Sequence, residues 1–463
     1  MGRQLVKEEF TRFCQTTSIK GIPRAVKAEN IGVRLTWIIS VFAFITVGIF
    51  QTYCIIAEYL KYSSYIFTHE RIFDPHENGA VIPTITLCNE NPFSSLKLAN
   101  ESLETQTLDE YYVFIDQATQ CPGCNSTTHR EMQNVRSLLR NPGAYFENLG
   151  HVAAETVSHD LNEFLMECKE VIYFGMKFVE RQCTDLISIR LQNEVDYFNC
   201  YRIEAKHEYD YEKYGFLAGL SAVLYLDNIA SDIAYENRIT DETINRYSAV
   251  RKYGAIVTPT HFEGYPFVKQ DGIHLAPGMS GYIKLYLEKK TRLPEPHGDC
   301  VPTSLEAYEY IKMCMSDCYQ KFIRNQCNCT DARMVKHMDT KQKEFCLSLN
   351  HYSIPAMLER YSCATRQFTV DNLVRCTKKC PSACSEISYT TETSFTKWPS
   401  HDTMKAFYQD YIANKTFEPK FRLVKEVIEG NCSDMNCLVK LFTAQRIIED
   451  NFLQVNMQLS DFK

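Results

Sequence analysis

Twenty-three consecutive residues, 35–57 (LTWIISVFAFITVGIFQTYCIIA), carry no charge, and this stretch limits what the chain can become. At 1.5 Å per residue it makes a helix of roughly 35 Å, slightly more than the ~30 Å hydrocarbon core of a bilayer. Twelve of its residues are Leu, Ile, Val or Phe, worth about 4 to 7 kcal/mol towards insertion at roughly 0.3 to 0.6 kcal/mol each. Its length exceeds a signal peptide's apolar core, and Tyr53, Cys54 and Ile55 make a poor cleavage site, so the reading is an anchor rather than a leader. Arg3, Lys7, Arg12, Lys20, Arg24, Lys27 and Arg34 precede it and only Lys61 and Arg71 follow closely. The positive-inside rule therefore puts residues 1–34 in the cytosol and 58–463 outside the cell, at the plasma membrane.

Cysteine usage divides the chain at the same place. Eighteen of the 20 cysteines lie in 58–463, an even number suited to an oxidising exterior. The five N-x-S/T sequons, at Asn100, Asn125, Asn328, Asn414 and Asn431, fall on that side too. A net charge of -7 and a pI near 6.0 give no sign of nucleic-acid binding. Some 406 exterior residues exceed one ordinary core and predict several subdomains.

The cytosolic arm, 34 residues long, is too short for a core of its own. In its segment TTSIKGIPR, Gly21 permits unusual backbone angles and Pro23 fixes the following turn. Beyond the span, Tyr53, Tyr59, Tyr62 and Tyr65 suit a lipid interface. Residues 83–88 read as a strand, and helical periodicity is expected around 130–139 and 161–179. Cys121-Pro-Gly-Cys124 has the spacing of a redox pair or half a zinc ribbon. With no βαβ context and no second CxxC, a disulfide within a loop is the better reading. Strands are expected at 222–226, 255–257 and 282–287, with a turn at Pro277-Gly278.

Ten cysteines crowd into residues 300–384. Thr303 and Glu306 have capping-box spacing, and Tyr308, Ile311, Met315, Cys318 and Phe322 then share one helical face. Cys314 and Cys318 stand one turn apart, as do Cys376 and Cys380. Antiparallel helices would join 314 to 380 and 318 to 376 as two rungs of a ladder. Closing the loop of about 84 residues between 300 and 384 would contribute roughly 4 to 5 kcal/mol on the chain-entropy model. Leu453, Val455, Met457 and Leu459 alternate with polar residues, the period of a half-buried strand. No H-E-x-x-H, P-loop or G-x-S-x-G is present, so no enzyme is indicated and no catalytic residue, metal site or cofactor is implied.

Ten ordered motifs then resemble one family, the degenerin/epithelial sodium channels, which include acid-sensing and peptide-gated channels. They are TTSIKGIPR, IPTITLCNENPF, FNCY (198–201), GLSAVLYLD (219–227), APG (276–278), RLPEPHGDC (292–300), CMSDCYQKFIRNQCNC (314–329), CPSAC (380–384), SFTKWPS (394–400) and NFLQVNMQLSDF (451–462). The resemblance implies an α+β membrane protein, with a transmembrane helix followed by a large disulfide-rich extracellular domain. A central β-sheet would form palm and β-ball, with a finger at about 100–195, a thumb at about 300–390, a knuckle region at about 400–450 and a last palm strand at 451–462. It also implies a sodium-selective, amiloride-sensitive homo- or heterotrimer in a lipid bilayer, opened by an extracellular ligand, peptide or protons. The implied disulfides are Cys88–Cys200, Cys300–Cys384, Cys314–Cys380, Cys318–Cys376, Cys327–Cys363 and Cys329–Cys346, with Cys168–Cys183 and Cys432–Cys437 assigned from the cysteines left over.

Three features depart from the family. Its His-Gly before the first helix, implicated in gating, is Lys20-Gly21 here. His297 stands where relatives often have Tyr or Trp, at a contact expected to face Tyr65. It is either a group that titrates near neutral pH or a surface histidine without special role. The family's second transmembrane helix, with its Gly-x-Ser selectivity filter, should follow Phe462 and is absent from this sequence. The expectation is a fragment or incomplete reading of a channel subunit. The alternative is a single-pass, non-conducting modulatory subunit or surface binding protein.

Overall fold

The computed structural model describes residues 2–19, 21–61, 83–98, 103–174, 177–183, 187–205, 216–228, 253–260, 264–296, 298–302, 309–334, 344–349, 353–430 and 435–459. The chain divides into two compact units, residues 1–69 with 293–299, and the remainder.

The first unit contains helices α1 (Gly2–Thr16), α2 (Gly21–Lys27) and α3 (Ile31–Leu60). Helix α3 exceeds the uncharged stretch at both ends, and at its start Asn30 caps it by accepting a hydrogen bond from the Gly32 amide at 2.9 Å. The most apolar 18 of its 30 residues have a mean hydropathy of 2.0 and are wholly unburied. The hydroxyls of Thr36, Ser40, Thr46 and Thr52 each donate to a carbonyl one turn back, at 2.8 Å. The helix is long and apolar enough to cross a bilayer, and its backbone and these hydroxyls are satisfied from within.

The second unit is built on two sheets. Its strands are β1 (Thr84–Asn89), β2 (Leu165–Phe174), β3 (Lys177–Gln182), β4 (Ile187–Glu194), β5 (Phe198–Ala205), β6 (Phe216–Tyr225), β7 (Ala255–Thr260), β8 (Ile273–Leu275), β9 (Met279–Thr291), β10 (Ser385–Lys397) and β11 (Phe452–Leu459). They form a five-stranded sheet, β4-β5-β1-β7-β8, and a six-stranded sheet, β10-β9-β11-β6-β2-β3. One apolar cluster draws on both, with Ile85, Leu87, Tyr201 and Ile203 from the first and Leu220, Leu224, Ile283 and Leu285 from the second. In β11, Leu453, Val455, Met457 and Leu459 are buried in this cluster. Asn456, facing the other way, accepts from Ser221 at 2.7 Å and donates to Ser280 at 3.0 Å, joining β6, β11 and β9 through side chains.

The helices of this unit are α4 (Ser95–Leu98), α5 (Leu103–Ala118), α6 (Ser126–Leu139), α7 (Pro142–Val157), α8 (Leu161–Phe164), α9 (Val268–Asp271), α10 (Glu309–Cys327), α11 (Ile354–Thr365), α12 (Val370–Lys379), α13 (Met404–Tyr411), α14 (Arg422–Glu429) and α15 (Met435–Asn451). Leu108, Tyr112, Leu139, Tyr145 and Phe146 from α5 to α7 share a second core with Phe345, Leu347 and Met357. Residues of α13 to α15 cover the other face of the six-stranded sheet, where Tyr225 stacks on Phe417 at 3.9 Å between centroids.

The helix expected around 161–179 is corrected to a single turn, α8, followed by the hairpin β2–β3. Val171, Ile172, Tyr173, Phe178 and Val179 are β-branched or aromatic and favour strand, and β2 pairs along β6 with Cys168 opposite Ala222. Register shifts between Leu165 and Glu167 and between Val171 and Ile172 break the period-two alternation. That break gives the apolar spacing its helical look.

At the end of β6 the fold buries an ion pair. Asp227 and Lys420 are 1% and 3% exposed and in direct contact. The Asp227 carboxylate also accepts from the Ser95 amide and hydroxyl, each at 2.7 Å, and from the Tyr225 hydroxyl at 3.1 Å. Burial alone would raise this carboxyl, but the Lys420 ammonium outweighs it and holds it well below the usual range. Removing one member leaves the other charged and dry. Lys420→Met is therefore expected to destabilise the second unit by about 3–5 kcal/mol, with Asp227→Asn in the same chain restoring a substantial part. Thermal melts of purified parent, single and double variants check this. Equal melting of Lys420→Met and the double variant would show that the two groups are uncoupled.

Candidate functional site

Residues 292–384 leave the six-stranded sheet at the end of β9 and return at the start of β10, which pair with Thr291 opposite Ser385. The Arg292 amide donates to the Cys384 carbonyl at 2.7 Å, and Val301 and Cys384 exchange further backbone bonds with the 382–384 and 301 segments. Cys300–Cys384 closes this base. Above it α10 and α12 are joined by Cys314–Cys380 and Cys318–Cys376, with Cα separations of 5.7 and 5.8 Å. Cys327–Cys363 and Cys329–Cys346 tie in α11 and the 344–349 segment. The two rungs have opposite sequence order, so the helices run antiparallel. The product is a covalently braced lever on a two-strand base.

Beside the apolar contacts of Phe345, Leu347 and Met357 with α5 to α7, a junction of polar contacts holds this lobe to the rest of the second unit. On α7, Glu147 accepts from the Leu347 amide at 2.9 Å, and Asn148 accepts from the Leu349 amide at 2.7 Å while donating to the Leu347 carbonyl at 3.1 Å. In the turn between β4 and β5, Asp196 receives Lys269 at 2.9 Å and Arg333 at 3.4 Å. Lys312 of α10 pairs with Asp271 of α9 and lies 5.7 Å from the Phe267 ring centroid.

The carboxyls of the junction divide by environment. Burial pushes Glu147 up to about 8, with the nearby Asp331 adding to it against the Leu347 amide and Arg333. Burial likewise raises Glu194 to about 8. Burial would also raise Asp196, but Arg333 and Lys269 keep it below the ordinary carboxylate range. At neutral pH the first two are mainly neutral and the third is ionised, and none crosses its midpoint between those extremes.

In the first unit, Gly21 begins α2 against α3. A Cβ added there would meet Val41 Cγ2 at 2.2 Å, and the Arg24 guanidinium lies 5.0 Å from the Trp37 ring centroid. Val41 is ten residues into α3, roughly 15 Å along its axis. The segment before α3 therefore turns back along it, and Gly21 supplies the close approach.

The structure also joins Cys88 to Cys200, Cys168 to Cys183 and Cys121 to Cys124. Cys14 and Cys54 are unpaired. Asn125, Asn328 and Asn414 are exposed. Asn125 also caps α6, accepting from the Thr128 amide at 2.9 Å, and Asn328 and Asn414 have φ of 52° and 62°. Lys20, Tyr65, Asn100, His297, Asn431 and Cys432, the side chain of Cys437, and the residues of the 303–306 capping box lie outside the described residues. Sequence reasoning missed Glu147, Glu194, Asp196 and the Asp227–Lys420 pair. Only Asp227 carried a signal, as the charge that ends an otherwise uncharged strand.

Glu147 gives a test of the junction. Between its ordinary pKa of 4.5 and about 8 the folded chain keeps a proton that the unfolded chain releases, so stability falls as pH rises through that window. Glu147→Gln retains an acceptor for the Leu347 amide and cannot ionise. Its melting temperature is expected to exceed the parent's by a few degrees near pH 8, the advantage shrinking towards pH 5. Melts of both proteins across that range decide it, and a parent that is the more stable near pH 8 would mean that Glu147 is ionised beside Arg333.

The family model described as amiloride-sensitive sodium channel matches residues 13–463. The FMRFamide-activated amiloride-sensitive sodium channel of Cornu aspersum is 22% identical over 431 residues, covering 86% of this chain and 62% of that protein. The epithelial sodium channel subunit gamma of Pan troglodytes is 22% identical over 487 residues, covering 99% and 76%. Degenerin del-1 of Caenorhabditis elegans is 30% identical over 146 residues, 30% of this chain and 21% of that one. A match running through the re-entering N-terminal segment, both sheets and the braced lobe leaves one assignment: the chain belongs to the amiloride-sensitive sodium channel family.

Proposed function

We propose that this chain is a subunit of a sodium-selective, amiloride-sensitive channel of the plasma membrane, opened by an extracellular ligand of the peptide class. The observation that carries the reading is the braced lobe on the β9–β10 base within a chain matched by the channel family from residue 13 to residue 463. Ion flow needs no catalytic group, only conformations that a ligand stabilises unequally. In this reading residues 300–390 are the thumb, 100–195 the finger and 400–450 the knuckle, and the ectodomain is glycosylated at its sequons. The N-terminus is cytosolic and the subunit assembles as a trimer. Lys20-Gly21 takes the gating position, with Gly21 packed beside α3, and His297 and Tyr65 couple thumb to membrane helix.

Peptide is favoured over proton gating by two observations. A peptide-activated channel is among the relatives. At the junction, Glu147 and Glu194 are raised to about 8 and already mainly protonated at neutral pH, while Asp196 is lowered and stays ionised, so mild acidification changes their charge little.

Oocytes expressing the chain, alone and beside a full-length relative, are expected to show a sodium current, or an altered one beside the relative, that amiloride blocks and a short amidated peptide evokes more strongly than acid does. Current evoked by acid alone would sink the peptide reading. No change in any current, with the chain present at the surface, would favour a surface binding protein.

Gly21 gives a second test. Gly21→Val adds branched carbons where Val41 leaves no room, and is expected to change open probability at least several-fold with surface expression retained. Gly48→Ala, where a Cβ meets nothing within 4 Å, serves as the control. Single-channel recording that shows parent-like gating in Gly21→Val would remove Gly21 from the gate.

A further inference from the structure

Helix α1 lies outside everything assigned above. Val6, Phe10 and Phe13 fall at i, i+4 and i+7 on one side and are 70%, 66% and 61% exposed. Thr11 and Gln15 fall on the opposite side, and Lys7 and Arg12 are exposed. Two large aromatic side chains and a valine in a continuous stripe are an unusual surface to leave in water.

Two observations indicate what covers it. The first is charge: residues 1–34 hold seven Lys or Arg (3, 7, 12, 20, 24, 27, 34) against three Glu (8, 9, 29), a net of 7 − 3 = +4, in a chain whose total is -7. The second is continuity. Helix α1 packs on α2 and α2 packs on α3, so the stripe belongs to the same compact unit as the apolar membrane helix. An amphipathic helix with aromatic residues on one side and cations beside it, tethered to a spanning helix, has the makeup of an interfacial helix.

We propose that α1 lies in the plane of the inner leaflet, with Val6, Phe10 and Phe13 in the boundary between headgroups and acyl chains. Its partner is an anionic lipid surface, held by the surrounding Lys and Arg. The proposal rests on the cytosolic orientation of the N-terminus given above.

The test uses the full chain reconstituted in vesicles, either of phosphatidylcholine alone or with a quarter phosphatidylserine. Cys14 and Cys54 are replaced by Ser, and a spin label is placed through Phe10→Cys or Gln15→Cys. The label at 10 is expected to collide mainly with oxygen dissolved in the bilayer, and the label at 15 mainly with a water-soluble nickel complex. Anionic lipid should strengthen the contrast, each basic residue at the surface being worth about fivefold in affinity. High salt should weaken it, and Phe13→Glu should return the label at 10 to water. A label at 10 that meets the nickel complex freely in both vesicles overturns the proposal. So does one screened from oxygen and nickel alike, which would mean that protein covers the stripe. Orientation is read separately, with an impermeant thiol reagent on intact cells. Labelling of Gln15→Cys from outside would overturn both the orientation and the inner-leaflet assignment. Exclusion from outside, together with water contact at position 10, would overturn the docking alone.

Discussion

Strand β11 is the constraint on which the second unit depends. It pairs antiparallel with β6 and parallel with β9, more than two hundred residues away from the first by register partners such as Ser221 and Asn456. Without it the six-stranded sheet would be two separate pieces, β9–β10 and β6–β2–β3. Its Leu453, Val455, Met457 and Leu459 fill the core between the sheets, while Phe452 joins the aromatic cluster on the opposite face. Gly219 of β6 faces it so closely that a Cβ would come within 1.9 Å of the Met457 carbonyl oxygen. The pairing closes a long loop before any contact rewards it, and the Cys300–Cys384 disulfide within that loop acts on the cost by shortening it.

The parts of the fold that were legible in the sequence are those where one physical signal dominates. The uncharged run at 35–57, the period-two pattern of β11 and the i, i+4 cysteines of α10 and α12 each admit few structures. The β2–β3 hairpin was misread because two bulges disturb its alternation and local spacing then resembles a helix. Partners across a sheet decide such a segment, and spacing within it carries no information about them. The residues of the candidate site were less legible still. Glu147, Glu194 and Asp196 are common carboxylates in sequence, and what distinguishes them is burial and the approach of Arg333 and Lys269 from distant parts of the chain. The return of Gly21 to Val41 was equally hidden, since a glycine before a helix reads as a loop.

Buried charge is used in two ways. Asp227–Lys420 is fully paired and receives hydrogen bonds from Ser95 and Tyr225, so it fixes how β6, the 418–421 turn and α4 meet. The nearby His159 is buried as well and its pKa is lowered, chiefly by burial. Its Nε2–H donates to the Asn91 carbonyl at 3.0 Å, and protonation of the other ring nitrogen would add a second cation beside Lys420. Acid would therefore weaken this corner once the pH falls below the histidine's ordinary 6.5. These groups specify structure and sit away from the lobe.

At the junction the design is different, and the contrast bears on gating. Inside the braced lobe the contacts are covalent or apolar, with Cys314, Cys318, Cys376 and Cys380 packed beside Met315 and Phe322. Between lobe and body, Phe345, Leu347 and Met357 pack into the core of α5 to α7, flanked by partly buried ion pairs and a few hydrogen bonds to the 347–349 backbone. A ligand shifts two arrangements of this junction only by as much as its affinity for them differs. The disulfides carry such a shift intact to the β9–β10 base, because a ladder joined at two rungs resists bending between them. A lever stiff along its length is what the proposed ligand-gated subunit requires.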